Sequence, residues 1–351
     1  MIDIIQCRLN NQQLSNKKFG KPEEIVEWLG AVQAQDYSGG LWGIGLRLPK
    51  VTIDGIEKAI SDRKIIRTWP MRGTLHFVPA RDAAWMLELM TPRIIKKNLI
   101  YYKKLDLNEK IFNNSKDIFI NELQKEKILT RIEMYQALEN NGVNISGQRG
   151  YHILVYLAQK GVICFGVKQK KQHTFVLLDS WVPDSRRLNR EEALAEITKR
   201  YFTSRGPATL QDFMWWSGIA ALDAAEGVEL NKSEILAEKI NGQIYYMTEE
   251  ISNHKHIEAH LLAPYDEYFI AYKDRSAAID SKMLEKINLA LTNSPLIING
   301  LAAGIWKHEI KEDSVVITTN LFRPIKEDEM KALNEAGDQY GNFLGKSVIL
   351  S

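Results

Sequence analysis

Three observations predict an α+β fold of tandem helical units, each closed by a β-hairpin. Residues 108–183 follow a helix, helix, helix, hairpin order; weaker copies of that order precede and follow it; and from residue 257 the texture changes to short β-rich runs. In the clearest unit, residues 116–123 carry apolar side chains at one-face helical spacing. Thr130 and Glu133 then form a capping-box pattern that opens a second helix, and Asn140-Asn141-Gly142 stops it. Residues 146–161 give a third helix ending in Gly161. The β-rich runs 162–167 and 174–178 follow, joined by Lys168-Gln169-Lys170-Lys171-Gln172-His173. This is the order of a winged helix-turn-helix, with the hairpin as the wing.

The flanking copies are more degenerate. From residue 190 a helix runs through Tyr201 and Phe202 and breaks at Gly206-Pro207; Thr209 caps residues 210–216, Ser217-Gly218 opens another helix, and residues 240–247 are strand-like. In the first third, helical residues 23–29 lead through Gln33 and Gln35 to Gly39-Gly40; residues 52–60 are amphipathic, and 65–69 with 73–78 read as a hairpin. Near the C-terminus, 296–298 and 314–318 read as strands and 327–335 as a helix. The expected organisation is three winged units over residues 1–105, 106–185 and 186–256, and a β-rich subdomain over 257–351.

With 351 residues and 45% hydrophobic content, each unit can bury a core. Cys7 and Cys164, the two cysteines, lie far apart, which argues against a disulfide framework or a cysteine-based zinc site and for a reducing, cytoplasmic setting. The first residues lack a basic stretch followed by an apolar run, and nothing approaches the ~18 apolar residues of a membrane span, so neither secretion nor membrane insertion is expected. A formal net charge of +2 leaves any attraction to nucleic acid to the distribution of basic residues.

Two basic clusters stand at equivalent hairpins. Lys168, Lys170, Lys171 and His173 form the wing tip, with Arg149 at the start of the preceding helix; Arg63, Lys64, Arg67 and Arg72 flank the first hairpin. Such residues serve phosphate contact in a helix-turn-helix, or simply keep a hairpin tip solvated. Gln33-Ala34-Gln35-Asp36 is less conspicuous, because glutamines in a helical stretch ordinarily bind water or pack their stems. Residues two apart on an ideal helix point about 200° from each other. Both glutamines therefore face one ligand only if the helix ends or loosens near Gly39-Gly40; otherwise one faces the ligand and the other braces it.

Other constellations carry no chemistry. His254, His256 and His260 lack the H-E-x-x-H order, so no metal is expected. Gly43-Ile44-Gly45 lacks the rest of a phosphate-binding loop or dinucleotide fingerprint, and fits helix packing or a turn. Ser217-Gly218 is not a nucleophile elbow, no cofactor is implied, and Trp28, Trp215 and Trp216 fall at core positions of helices.

Four segments together resemble the bacterial AlkZ-like DNA glycosylases, a winged-helix family of DNA repair proteins. They are Ala31-Val32-Gln33-Ala34-Gln35-Asp36-Tyr37; Arg72-Gly73-Thr74-Leu75-His76-Phe77-Val78-Pro79-Ala80; Leu261-Leu262-Ala263-Pro264-Tyr265-Asp266-Glu267-Tyr268 through Asp274-Arg275-Ser276; and residues 298–307 with Gly300, Gly304 and Trp306. The likeness spans nearly the whole chain. It implies three tandem winged helices in a C-shaped arrangement around a basic channel for duplex DNA. It also implies a catalytic glutamine, aliphatic, glutamine motif, matched here by Gln33 and Gln35; the adjacent Asp36 is a candidate for catalytic support on its own chemistry. Arg67, Arg72, Thr74, His76, Arg149, Lys168, Lys170, Lys171, Arg275 and Trp306 are the expected DNA contacts. A related branch has aspartate at the second glutamine position, and this chain does not.

Glutamine chemistry narrows the expected substrate. An amide has no useful pKa; its carbonyl can accept a hydrogen bond from water and present the negative end of a dipole. That weak help suffices when the leaving group already carries positive charge, as in an N7- or N3-alkylated purine, including a crosslinked one. The expected reaction is hydrolysis of the N-glycosidic bond by a monofunctional glycosylase, with Asp36 as the rival general base. Base flipping is the ordinary route to such a bond, and recognition from an open channel is the alternative that the resemblance supports. A winged-helix transcription regulator and a non-catalytic scaffold are the competing functions; the lack of an effector domain disfavours the regulator.

Overall fold

The structure, a computed structural model, describes residues 2–248, 257–280, 285–286, 288 and 293–351. The chain packs as two compact units, one of residues 1–57 with 194–351 and one of residues 58–193. Compactness thus divides the chain differently from repeat order, and does not bear on where repeats begin.

In the 58–193 unit the end of helix Ile53–Ser61 is followed by a hairpin of Ile65–Met71 and Thr74–Pro79, paired from Ile65↔Pro79 to Met71↔Thr74. The long helix Ala83–Lys104 follows, then the helices Glu109–Glu126, Arg131–Asn140 and Arg149–Gln159, and a second hairpin of Ile163–Phe165 and Thr174–Leu177. The expected helix, helix, helix, hairpin order is therefore present. Local chemistry sets its boundaries. Asn108 Oδ1 accepts from the Ile111 N–H (3.1 Å), and the Thr130 and Glu133 capping box closes as predicted, the Glu133 N–H donating to Thr130 Oγ1 and the Thr130 N–H to Glu133 Oε2. Those bonds from Thr130 hold the Glu133 carboxyl below its usual range. Trp69, Phe119, Leu138, Leu154 and Phe175 share one core, each burial contributing roughly 1.5–3 kcal/mol.

The two hairpins of this unit join in one sheet, in the order Thr74–Pro79, Ile65–Met71, Ile163–Phe165, Thr174–Leu177, Leu129–Thr130. The join is the pair Arg67↔Phe165. Ile65–Met71 is thereby a central strand, buried along its length, rather than half of a free wing.

The other unit holds the helices Ile4–Asn11, Pro22–Leu29, Tyr37–Gly45, Leu210–Ser217 and Ala221–Leu230, with most of Arg190–Arg205. Its five-stranded sheet runs Ser347–Leu350, Ser314–Leu321, Leu301–Ile310, Ser294–Ile298, Ala259–Leu261; the first pair is parallel and the rest antiparallel. Three local expectations are corrected. Gly218 lies in the left-handed region (φ 75°) and closes Leu210–Ser217 instead of opening the next helix, which starts at Ala221. Residues 240–247 are not one strand but the turn and return of a hairpin, Leu236–Ile240 with Gln243–Met247. The last helix is Glu327–Leu344, continuing through Gly341, where a side chain would come within 2.3 Å of Val348 on the neighbouring strand.

Candidate active site

Helix Pro22–Leu29 ends at Gly30 (φ 73°), and the chain emerges extended at Val32–Gln33. Gln33, Ala34 and Gln35 therefore do not lie in a helix. Ala34 is fully buried, Gln33 is half-buried and Gln35 is exposed. The strand ends at Gln33 and Gln35 lies in the bend that leads to the next helix, so the opposed directions expected from an ideal helix do not apply, and the buried Ala34 separates two more accessible glutamines. The Gln35 N–H donates to Gln33 Oε1 (3.2 Å), which fixes the first side chain against the backbone of the second. Asp36 then starts helix Tyr37–Gly45, its Oδ1 accepting from the Gly39 N–H (2.6 Å) as an N-cap.

Behind the motif lies a buried ionic brace. The Gln33 N–H donates to Glu267 Oε1 (3.1 Å), and Glu267 Oε2 accepts from Arg205 (2.7 Å) and from Trp216 Nε1 (2.9 Å). Arg205 donates further to the carbonyls of Leu29 (2.7 Å) and Ala31 (3.1 Å), the turn that delivers the motif. Asp266 pairs with Arg47 through both oxygens (2.7 and 2.9 Å), and Arg47 also donates to Gly43 O (2.7 Å) and Gln12 Oε1 (3.0 Å). Burial opposes the charge on Arg47, but the Asp266 carboxylate outweighs it and raises the guanidinium above its ordinary range. Two indoles hold the strand leading to these acids: Trp42 Nε1 donates to Leu261 O (2.6 Å) and Trp306 Nε1 to Leu262 O (2.8 Å). Pro264 rests on Gly39, where a Cβ would meet it at 2.9 Å, so the helix carrying Asp36 can sit this close only with glycine there.

Sequence reasoning did not single out Glu267, Arg205, Asp266 and Arg47. One signal was available: two adjacent acids inside an apolar run, Leu261 to Tyr268, which need buried partners. Asp36 has neighbours beyond its cap. Burial and then its carboxylate push the Tyr340 hydroxyl up, while burial lowers His308 against the Asp36 field. The Tyr340 hydroxyl lies 3.2 Å from His308 Nδ1.

The expected DNA contacts fall into two groups. Lys170 and Lys171 are exposed at the tip of the second hairpin, and Lys168 is half-buried. Arg72 stands in the turn of the first hairpin with positive φ (54°), 3.4 Å from His76 Nε2. Arg275 is half-buried, donating Nε–H to Phe269 O (2.9 Å) with its guanidinium 5.4 Å from the ring centroid of Trp215. Trp215 is itself 46% exposed, which corrects its assignment to the core; Trp216 is buried as expected and Trp28 half-buried.

Arg67, His76 and Trp306 are buried, so direct DNA contact is withdrawn for them. Arg67 occupies the central strand and donates to His173 Nε2 (3.1 Å); His76 lies on the paired strand; and Trp306 ties down Leu262. Arg149 is half-buried and donates to Asn144 O (2.8 Å) and to Leu105 O, closing the loop before its helix. Thr74 opens the second strand of the first hairpin and is half-buried. Among the described residues no three His, Cys, Asp or Glu side chains group as metal ligands, and no helix is long and apolar enough to cross a membrane. His254 and His256 lie outside the described residues; His260 is a buried strand residue 3.3 Å from Glu258.

The sequence profile of the family described as DNA glycosylase AlkZ-like matches residues 26–343, which takes in both the glutamine motif and the brace behind it. The chain belongs to this family. This AlkZ-like chain is 23% identical over 341 residues to the interstrand DNA cross-link repair glycosylase of Streptomyces sahachiroi, covering 90% of this chain and 89% of that protein. The solved structure of Streptomyces sahachiroi DNA glycosylase AlkZ matches with a TM-score of 0.82 at 20% identity, covering 99% of this chain and 98% of the other. The AlkZ-like chain shares that mixed α+β fold.

Proposed function

We propose that this chain is a monofunctional DNA glycosylase, built of tandem winged-helix units, that hydrolyses the N-glycosidic bond of cationic alkylated purines in duplex DNA. Gln33 and Gln35 are its catalytic residues. The observation that carries this reading is the Gln33-Ala34-Gln35 segment at the end of a strand, with Ala34 buried, Gln33 half-buried and Gln35 exposed, the Gln35 N–H bonded to Gln33 Oε1 (3.2 Å) and the Gln33 N–H held by Glu267 (3.1 Å). In an N7-alkylguanine or N3-alkyladenine the purine already bears a positive charge. When the C1′–N9 bond breaks, its electron pair passes to the purine, which leaves neutral without an acid. The sugar is left as an oxocarbenium ion, which a water oxygen attacks at C1′ before losing its proton to solvent.

An amide carbonyl can orient that water and place negative dipole density beside the cation. Gln33, whose Oε1 already accepts from the Gln35 N–H, is the more fixed of the two. The same bond is broken when the purine belongs to an interstrand crosslink, the lesion in the name of the Streptomyces relative, so crosslinks are included among the substrates.

The test is single-turnover release of base from duplex DNA containing N7-methylguanine, read as abasic sites. A Gln33→Ala, Gln35→Ala double variant is expected to bind the duplex as the parent does and to lose on the order of 100-fold in rate. Equal rates would refute the glutamine assignment. A parent that excises no alkylated or crosslinked base, yet binds one sequence tightly, would make the chain a regulator.

A further inference from the structure

The helix Ala83–Lys104 changes character along its length. Its first half is core, with Ala83, Trp85, Met86, Leu87 and Met90 buried, whereas its second half is largely solvent-facing. There Ile100 is 68% exposed. On a helix its neighbours are the residues three and four away in either direction. All four are lysines: Lys96, Lys97, Lys103 and Lys104, each exposed. Leu99 and Tyr101 on either side of it are 55% and 57% exposed, with Lys104 Nζ 5.8 Å from the Tyr101 ring centroid, and residues 89–105 contain no acid.

A helix face that only needs solvation would interleave glutamates with its lysines, gaining pairs at i,i+4, and would not centre a large apolar side chain among like charges. A membrane-surface helix would show a broad apolar stripe with its cations to one side. This face has another plan: a short band of three apolar side chains, Leu99, Ile100 and Tyr101, with two lysines one turn before it and two one turn after it. It complements a polyanion with an apolar interior, which is a nucleic acid groove between its phosphate rows.

We propose that this helix face binds duplex DNA, with Lys96, Lys97, Lys103 and Lys104 on phosphates and Ile100 against sugars and base edges between them. Lys96 and Lys104 are eight residues apart, about 12 Å along the axis at 1.5 Å per residue, which is about the width of a major groove. The proposal rests on the duplex-DNA reading above and adds a surface outside the glutamine motif and both hairpins. Contacts of this kind position the protein without reading sequence.

The test replaces all four lysines by glutamine, whose helix propensity is close to that of lysine, with circular dichroism as the check on folding. Binding to a short undamaged duplex is followed by fluorescence anisotropy over a range of salt. The slope of log K against log salt should become shallower by about 3 to 4, at roughly 0.9 per lost phosphate contact, with affinity at low salt weaker on the order of 100-fold. Ile100→Ala should weaken binding about tenfold and leave the slope unchanged, because it removes apolar contact and no charge.

An unchanged slope in the quadruple variant, while the parent still excises N7-methylguanine, would overturn this surface and spare the functional reading. A parent that binds no duplex at all would overturn both. Parent binding to phosphatidylserine vesicles that the quadruple variant loses, with duplex binding intact, would assign the face to membrane and overturn the proposal.

Discussion

Glu267→Gln isolates the brace behind the motif, because it removes one charge while keeping size and an acceptor oxygen. Arg205 and Glu267 are 0% and 1% exposed and 2.7 Å apart, so the substitution strands a guanidinium in the interior. Breaking a buried pair from one side costs about 3–5 kcal/mol, against a total stability of about 5–15 kcal/mol for a typical native protein. A fall in melting temperature on the order of 10 °C should follow. Excision should fall as well, since the Gln33 N–H and the Arg205 contacts to Leu29 O and Ala31 O all depend on this carboxylate.

The partner experiment is the double replacement Arg205→Met, Glu267→Met. Exchanging both charges for apolar groups of similar size removes the stranded charge and should recover part of the stability in urea. It returns no acceptor to the Gln33 N–H, so excision should stay low. The reasoning is refuted if Glu267→Gln unfolds within about 1 kcal/mol of the parent, or if the double variant excises at the parental rate, for either result would leave the brace without a role.

Two further predictions separate roles near the sites. Asp36→Ala should cost about 1 kcal/mol in urea unfolding through loss of the cap, and Asp36→Asn, which caps equally well, should retain excision within a few fold. A loss of 10²-fold or more in Asp36→Asn single turnover would instead make Asp36 the general base. His173 is held down to about 4 by burial and by Arg67, Lys168 and Arg131, so between pH 6.5 and about 4 the unfolded chain binds a proton that the folded one does not. Stability therefore falls as pH drops through that window, and His173→Gln should flatten the fall in thermal melts taken from pH 7 to pH 4.

What was legible in the sequence was what neighbours decide. Thr130 with Glu133, and Thr209 with its helix, announce themselves because a cap is a local hydrogen bond three residues long. The hairpin around Lys168 to His173 was likewise marked by the β-rich runs on either side. The glutamine motif was misplaced on a helix because a two-residue strand has no periodicity to read. Arg67 resembled an exposed wing cation until its strand gained a second neighbour at Phe165, a pairing across sequence that no local pattern encodes. The brace is more distant still, since Glu267 meets Arg205 across 62 positions and Gln33 across 234.

The distribution of charge around the motif bears on selectivity as well as on rate. The Glu267 carboxylate is taken up by Arg205, Trp216 and the Gln33 backbone; Asp266 is taken up by Arg47; and Asp36 gives one oxygen to its cap. The motif itself offers amides. On the reading proposed above, a site of amides has no proton to give the departing base. An undamaged guanine or adenine leaves readily only if its ring is protonated, so intact DNA lying against Gln33 and Gln35 gains little. An alkylated purine brings its own positive charge and needs only the water and the dipole. The weakness of glutamine as a catalyst is then a source of discrimination: the charge a base already carries decides whether it is released.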